Sequence, residues 1–232
     1  GQFPVEFVLA STADPEQMLE LAQPIQGTAM RSGMFAFPPI IDVKIDQPQQ
    51  RTPIWSQAPV QLDSFQVSPD GRFAGGQFPW PRVGVADLKA GTWRQLGEGC
   101  WTALQDVGSP LLWYFDGAHR NLQMVDLATD RRWSMPINHA PGFDNPEVYH
   151  PRWSNHPRVM AMTGPYDQGG ANQVRSGGNQ SEVWLGRFRE DYSAIEAWAR
   201  VTRNGQADSY PDVWVKPGEG SLPRMASGRV GP

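Results

Sequence analysis

Short apolar segments alternate with polar turns along most of the chain from Ile40 onward. Each of four segments holds an apolar stretch, a short polar turn and a second stretch with an aromatic residue: 38–55, 82–96, 121–137 and 181–202. Such segments are typical of two short strands joined by a turn. Matching positions in the four segments are Asp42, Asp87, Asp126 and Arg187, at intervals of 45, 39 and 61 residues. The pattern therefore predicts four related hairpins.

A second element recurs between these hairpins, at residues 65–76, 101–115 and 150–164. Each copy has a short strand, a tight turn and a strand that is apolar or small throughout. A fourth copy begins at residue 209 and stops by residue 220. Four strands per unit and a spacing of roughly 40 residues are typical of β-propeller blades.

The N-terminal part of the chain has a different pattern. Residues 14–23 predict a short helix, because Asp14 can cap it, Pro15 suits its first turn and an apolar stripe follows. Upstream of it, residues 4–11 are apolar enough to form a strand. We expect that strand to pair with the last blade, as terminal strands do when a propeller closes.

Two sets of motifs resemble a known family. The turn VSPDGR at 67–72 and the joined segments HPRWS, SEVWLGRF and ARVTRNGQADSYPDVWV between 150 and 215 are similar to the TolB-type, WD-repeat-like propeller blade. The resemblance covers residues 60–217, or 38–217 if the first hairpin is included. It implies an all-β fold: a β-propeller of about four to five blades, closed or partial and open, with an N-terminal extension containing one short helix. The predicted domains are the extension at 1–37, the repeats at 38–215 and an irregular C-terminal tail at 216–232.

Composition supports this fold class and narrows the range of partners. The 24 glycines and 22 prolines favour frequent turns, while ten tryptophans and ten phenylalanines supply large side chains for a core. A net charge of −4 without a lysine-rich run argues against nucleic acid as a partner. A single cysteine excludes an intrachain disulfide and a multi-cysteine zinc site, and no apolar run predicts a transmembrane segment.

The long loop at 163–181 is the most informative surface feature, since it exceeds the length of an ordinary hairpin connection. It is rich in hydrogen-bonding groups and poor in apolar area. We interpret it either as a partner contact or as a plain insertion. The predicted binding residues are Tyr166, Asp167, Asn172, Gln173, Arg175 and Asn179.

Chemistry-bearing motifs are few. The sequence lacks the G-x-S-x-G elbow, the phosphate-binding glycine loops and the H-E-x-x-H motif, so no catalytic residue and no cofactor is predicted. His150, His156 and Asp144 are the candidates for a three-ligand metal site. The repeat pattern offers a plainer account, in which His150 precedes a strand and His156 lies in a turn.

For function, the resemblance implies a non-catalytic scaffold that mediates protein–protein interaction within an exported or surface-associated assembly, in the periplasm or outside the cell. The alternative is a propeller enzyme or carbohydrate-binding module acting on a polysaccharide, with His150, His156 and Asp144 as candidates. In a binding module, Trp80, Trp101 and Trp153 would either stack on sugars or belong to the core.

Overall fold

A computed structural model shows how these segments fold. It describes residues 7–10, 17–21, 40–44, 46–55, 65–68, 70–78, 81–105, 110–166, 180–216 and 218, with only the backbone at 7–10, 17–21 and 40. Within these ranges the protein is all-β, and the strands form four four-stranded antiparallel sheets. In every sheet the strands lie side by side in the order in which they occur along the chain.

The bounds of the strands follow. The first sheet contains β1 Phe7–Ala10, β2 Gln17–Leu21, β3 Ile40–Lys44 and β4 Gln47–Trp55. The second contains β5 Gln66–Val67, β6 Phe73–Gln77, β7 Arg82–Asp87 and β8 Thr92–Glu98. The third contains β9 Cys100–Leu104, β10 Leu111–Phe115, β11 Asn121–Asp126 and β12 Arg132–Pro136. The fourth contains β13 Glu147–Trp153, β14 Val159–Tyr166, β15 Glu182–Phe188 and β16 Ile195–Arg200.

The predicted repeats are confirmed in phase. Each predicted hairpin supplies the third and fourth strands of a sheet, and the three full copies of the second element, at 65–76, 101–115 and 150–164, each supply first and second strands. The four sheets agree with the lower end of the predicted number of blades.

Two predictions for the N-terminal part are wrong. Residues 17–21 form strand β2, not a helix, and the rest of the predicted helix lies outside the described residues. Strand β1 pairs with β2, not with the last sheet. Because β2 lies between β1 and β3, its backbone is hydrogen-bonded on both sides, which outweighs a local capping signal.

The predicted fourth copy of the second element also differs from the structure. The described part of that region, residues 209–216 and 218, contains no strand, and residues 201–216 follow β16 as an irregular segment.

The described residues of the SPDGR motif, Ser68 and 70–72, form the tight turn between β5 and β6. Gly71 has a φ of 68° and donates its amide hydrogen to the Ser68 carbonyl at 2.8 Å. Asp70 accepts hydrogen bonds from the Ser68 hydroxyl at 2.6 Å and the Arg72 amide at 3.1 Å. The Ser68 hydrogen bond is the main reason why the pKa of Asp70 is lowered. The motif thus acts through turn chemistry.

Two of the matching positions in the repeat have the same local role. Asp87 ends β7 and its Oδ1 accepts from the Ala90 amide at 2.9 Å. Asp126 ends β11 and its Oδ1 accepts from the Ala128 amide at 2.9 Å. Each carboxylate therefore fixes the turn after the third strand of its sheet.

The chain divides into two compact units, residues 1–104 with 112–114, and residues 105–111 with 115–232. In the first unit, Trp55, Phe65 and Phe78 form a buried cluster in which the Trp55 and Phe78 rings meet edge to face at 6.2 Å. Gly75 on β6 permits close packing, because a Cβ there would lie 2.9 Å from Leu104 Cγ.

The second unit contains the candidate site and is held together by tryptophan and tyrosine contacts. Trp133 on β12 donates its indole hydrogen to the Tyr192 carbonyl at 2.8 Å. Trp153 on β13 packs against Phe188 with ring centroids 5.6 Å apart, and its indole donates to the Pro157 carbonyl at 2.8 Å. Trp153 is buried, so it belongs to the core rather than to a sugar-stacking surface.

Candidate functional site

The C-terminal segment, defined here as residues 208–216, is fastened to the fourth sheet although it forms no strand. The Asp208 amide donates to the Ser181 carbonyl at 2.9 Å. At the other end, Asn155 exchanges two hydrogen bonds with the backbone of Val215. Between them Asp212 lies 3.8 Å from Arg152 of β13. The segment is therefore positioned before any partner binds.

From Tyr210 to Lys216 exposure alternates residue by residue. Pro211, Val213 and Val215 are partly buried, whereas Tyr210, Asp212, Trp214 and Lys216 are exposed. Tyr210 and Trp214 keep 62% and 68% of their surface accessible. We call Tyr210, Asp212 and Trp214 the aromatic strip.

The aromatic strip stands out among the described residues. The exposed large hydrophobic side chains there are Val201, Tyr210 and Trp214, all of which follow β16. Single exposed apolar residues are common on protein surfaces. Two large exposed aromatics, four residues apart on one fastened segment, form a surface suited to recognition.

Tyr210 is oriented by the buried His150. The two ring centroids are 4.1 Å apart, and Tyr210 has a φ of 51° that turns the chain at this point. His150 Nδ1 lies 2.8 Å from the Thr163 hydroxyl, and Tyr166 OH lies 2.9 Å from the same oxygen. The Thr163 hydroxyl also lies 3.2 Å from the Tyr149 carbonyl oxygen, so it links His150, Tyr166 and Tyr149 in one buried hydrogen-bond network.

In this arrangement His150 and Tyr166 are buried residues of the protein interior. His150 is 2% exposed and Tyr166 is 1% exposed, and burial raises the pKa of Tyr166. Tyr166 was predicted to lie in the binding loop, but it ends strand β14 with its ring in the interior. The other predicted binding residues, Asp167, Asn172, Gln173, Arg175 and Asn179, lie outside the described residues.

The three metal candidates do not form a cluster. His150 is engaged with Thr163, His156 Nδ1 accepts from the Arg158 amide at 3.1 Å, and Asp144 is exposed. Across the described residues, no three His, Cys, Asp or Glu side chains are arranged to hold a metal ion. Desolvation lowers the pKa of His156, and the positive charges of Arg158 and Arg187 lower it further.

A cavity of about 420 Å³ opens at another part of the fourth sheet. Its lining includes Phe143 from the loop before β13, Glu182 and Trp184 from β15, Arg200 from β16 and Arg203 from the following turn. Glu182 is 2% exposed, and its Oε1 accepts from Arg200 Nη2 at 2.8 Å. We call this the Glu182 cavity.

The residues of the aromatic strip and of the Glu182 cavity were absent from the predicted site. The alternation from Tyr210 to Val215 is visible in the sequence, but it was interpreted as the first strand of an incomplete blade. Glu182 and Arg200 are 18 residues apart and become neighbours only through the pairing of β15 with β16.

Comparison with known proteins identifies the class of fold. No protein-family model matches the chain, and no curated protein matches it either. Solved structures do. A TolB-type protein from Agrobacterium tumefaciens matches with a TM-score of 0.53 and 11% identity over 86% of this chain and 62% of that one.

Two further structures are similar. An auxiliary nutrient binding protein from Bacteroides thetaiotaomicron gives a TM-score of 0.54 and 7% identity, over 87% of this chain and 43% of the other. A prolyl endopeptidase gives a TM-score of 0.52 and 12% identity, over 84% of this chain and 28% of the other. The chain thus spans under two-thirds of each of these proteins.

At such identities the likeness shows the fold alone. The protein has a β-propeller fold made of TolB-like, WD-repeat-like four-stranded sheets, as the sequence resemblance implies. Among the described residues, no helix is long and apolar enough to cross a membrane.

Proposed function

We propose that this protein is a non-catalytic β-propeller scaffold that binds a protein partner through the aromatic strip. The observation that carries the proposal is the exposure of Tyr210 and Trp214 on a segment whose other side is fastened to the fourth sheet. The propeller fold supports the proposal, because propellers present rigid surfaces to partners.

The physical basis is the cost of ordering an interface. Tyrosine and tryptophan bury large areas with few rotatable bonds, and they are enriched among the residues that dominate binding energy. A segment already held by Asn155 and Ser181 loses less conformational entropy on binding than a mobile loop would. The aromatic strip is therefore preorganised.

The chemistry of the aromatic strip defines the surface that it would meet. Tyr210 and Trp214, four residues apart along the chain, each require an apolar depression on the partner surface. Asp212 lies between them and its side chain is 80% exposed. A complementary partner therefore places a basic group between its two depressions.

The non-catalytic part of the proposal is supported by the engagement of the titratable groups near the aromatic strip. His150 is buried, bonded to Thr163 and covered by the Tyr210 ring. Such a histidine orients Tyr210 rather than meeting a substrate.

An exported location, in the periplasm or at the cell surface, belongs to the same proposal. It is supported by the resemblance to TolB-type blades and by the likeness to a nutrient binding protein. Fractionation of cells that express the tagged full-length gene product tests it, and recovery in the cytosol would contradict it.

The binding test compares three forms of the full-length protein, purified from its native cells under mild crosslinking. They are the wild type, the double variant Tyr210→Ser with Trp214→Ser, and Val201→Ser, which removes an exposed apolar residue outside the aromatic strip. We expect a partner that crosslinks within residues 208–216 of the wild type and of Val201→Ser but not of the double variant.

Binding measurements with that purified partner then give the change in binding free energy caused by the double substitution. Loss of two aromatic contacts should weaken binding by at least a hundredfold, about 2.7 kcal/mol. Equal binding by the double variant would refute the proposed surface, and crosslinks confined to other residues would do the same.

A further inference from the structure

Glu182 is unusual because one of its carboxylate oxygens is buried without a hydrogen-bond partner. Its Oε1 is paired with Arg200, whereas Oε2 has no partner among the described residues although the residue is only 2% exposed. An unsatisfied buried acceptor of this kind carries a free-energy cost of about 1–3 kcal/mol, more when it is charged. A bound donor would remove that cost.

The charges around the Glu182 cavity decide what kind of donor fits. Arg200 already neutralises the carboxylate, and Arg203 adds a second positive charge to the lining. A cationic ligand would meet two guanidinium groups and one carboxylate. A neutral hydroxyl avoids that repulsion, because it donates its hydrogen to Glu182 Oε2 and accepts with its lone pairs from an arginine.

Apart from Gln180 and two glycines, the remaining lining of the Glu182 cavity is apolar. The Phe143 ring meets Trp184 edge to face with centroids 5.2 Å apart, and Pro141 and Pro165 lie beside them. Phe143 is half-buried, so part of its ring faces the opening. A volume of about 420 Å³ accommodates one or two sugar rings.

Hydroxyl groups on one side and a C–H face on the other are the combination that a pyranose ring offers. We propose that the Glu182 cavity is a binding site for a neutral saccharide, with Glu182 accepting from a ring hydroxyl, Arg203 donating to its neighbour and Phe143 packing on the C–H face. The proposal does not depend on the aromatic strip, because neither Tyr210 nor Trp214 lines the cavity.

Isothermal titration calorimetry tests the site with the purified full chain and three probes: methyl α-D-glucopyranoside, methyl β-D-galactopyranoside and N-acetyl-D-glucosamine. L-Leucine serves as a zwitterionic probe of similar size. We expect at least one sugar to bind with a dissociation constant in the millimolar range or below, and no heat from L-leucine.

Two variants place the binding in the cavity. Glu182→Gln keeps the shape of the side chain, but its one oxygen stays with Arg200 and its amide nitrogen cannot accept a hydrogen bond from the sugar. Phe143→Ala, at a loop position, removes the apolar surface on which the sugar would pack. Each should weaken binding at least tenfold. The matched control is Glu190→Gln, whose carboxylate is 89% exposed, and the Tyr210→Ser/Trp214→Ser protein should also bind as the wild type does.

Near-ultraviolet circular dichroism reports whether each variant is folded. If Glu182→Gln does not fold, Phe143→Ala still tests the site. Three results would overturn the proposal: no binding of any sugar at tens of millimolar, unchanged binding by the folded variants, or binding of L-leucine in place of sugars. Unchanged partner binding by the Tyr210→Ser/Trp214→Ser protein, with sugar binding intact in the wild type, would refute only the scaffold proposal.

Discussion

The side-chain amide of Asn155 forms two hydrogen bonds with the backbone of Val215: Nδ2 donates to the carbonyl oxygen at 2.8 Å, and Oδ1 accepts from the amide nitrogen at 2.6 Å. Residues of paired antiparallel strands exchange the same two kinds of bond. A side chain thus replaces a neighbouring strand at the end of the C-terminal segment.

Asn155→Ala should release this segment. We expect the free energy of unfolding to fall by about 1–2 kcal/mol, since two hydrogen bonds are lost. Hydrogen exchange measured by mass spectrometry should become faster in peptides that cover 208–216. Gln206→Ala, at an exposed position in the preceding turn, is the control and should leave exchange unchanged. Protection equal to that of the wild type in Asn155→Ala would contradict the anchoring role.

Thr163→Val should destabilise the protein more than its size suggests. Valine has the same shape but no hydroxyl, so His150 Nδ1, Tyr166 OH and the Tyr149 carbonyl all lose a partner in the interior. We expect a loss of about 2–4 kcal/mol in urea unfolding. Thr163→Ser keeps the hydroxyl and removes one methyl group, so it should cost about 1 kcal/mol. Similar losses in the two variants would show that the hydroxyl is not the stabilising group.

Gly84 in β7 should not tolerate a side chain. A Cβ there would lie 2.6 Å from the backbone oxygen of Arg94, at a shift in the register between β7 and β8. Gly84→Ala should therefore lower the free energy of unfolding by about 1–3 kcal/mol, measured by chemical denaturation.

Gly117 is the matched control for this substitution. A Cβ at Gly117 would meet no atom within 4 Å, so Gly117→Ala should change stability by less than about 0.5 kcal/mol. Equal effects at the two glycines would argue against the close approach of β7 and β8.

Stability should fall as the pH is lowered through the range in which histidine titrates. The pKa of His119 lies below its ordinary value of 6.5, mainly because burial disfavours the charged ring, while Glu147 at 3.8 Å and Asp116 partly offset this. The folded state therefore binds the proton less tightly than the unfolded state. The contribution is complete above pH 6.5 and is lost progressively as the pH falls toward the lowered pKa.

Chemical unfolding at a series of pH values tests this dependence. His119→Asn should reduce the fall in stability between about pH 7 and about pH 5, because asparagine does not titrate and accepts the φ of 54° found here. His139→Gln at an exposed position is the control. His156, whose pKa is also lowered, should account for a remaining slope. An unchanged slope in His119→Asn would rule out its contribution.

Much of the fold could be predicted because its signals are local. The turn at SPDGR and the aspartates at 87 and 126 act on residues within a few positions of themselves, so their recurrence showed the repeat directly. The hairpin predicted at 82–96 agrees closely with β7 and β8.

The errors arose where the outcome depends on distant partners. Residues 17–21 have helix signals, yet β1 and β3 supply hydrogen-bonding neighbours on both sides. The sequence did not predict the aromatic strip or the Glu182 cavity, for a related reason. The Glu182–Arg200 pair depends on the register of two strands, and the exposure of Tyr210 and Trp214 goes with the irregular backbone of the described residues 201–216.

The alternation along the C-terminal segment separates attachment from contact. Val213 and Val215 are partly buried, whereas Trp214 is exposed and lies outside the hydrogen bonds made by Asn155 and Ser181, so exchange of Trp214 leaves that attachment intact. A propeller of this design can acquire a new partner by a few substitutions in one short stretch, while its sheets keep the same sequence and the same stability.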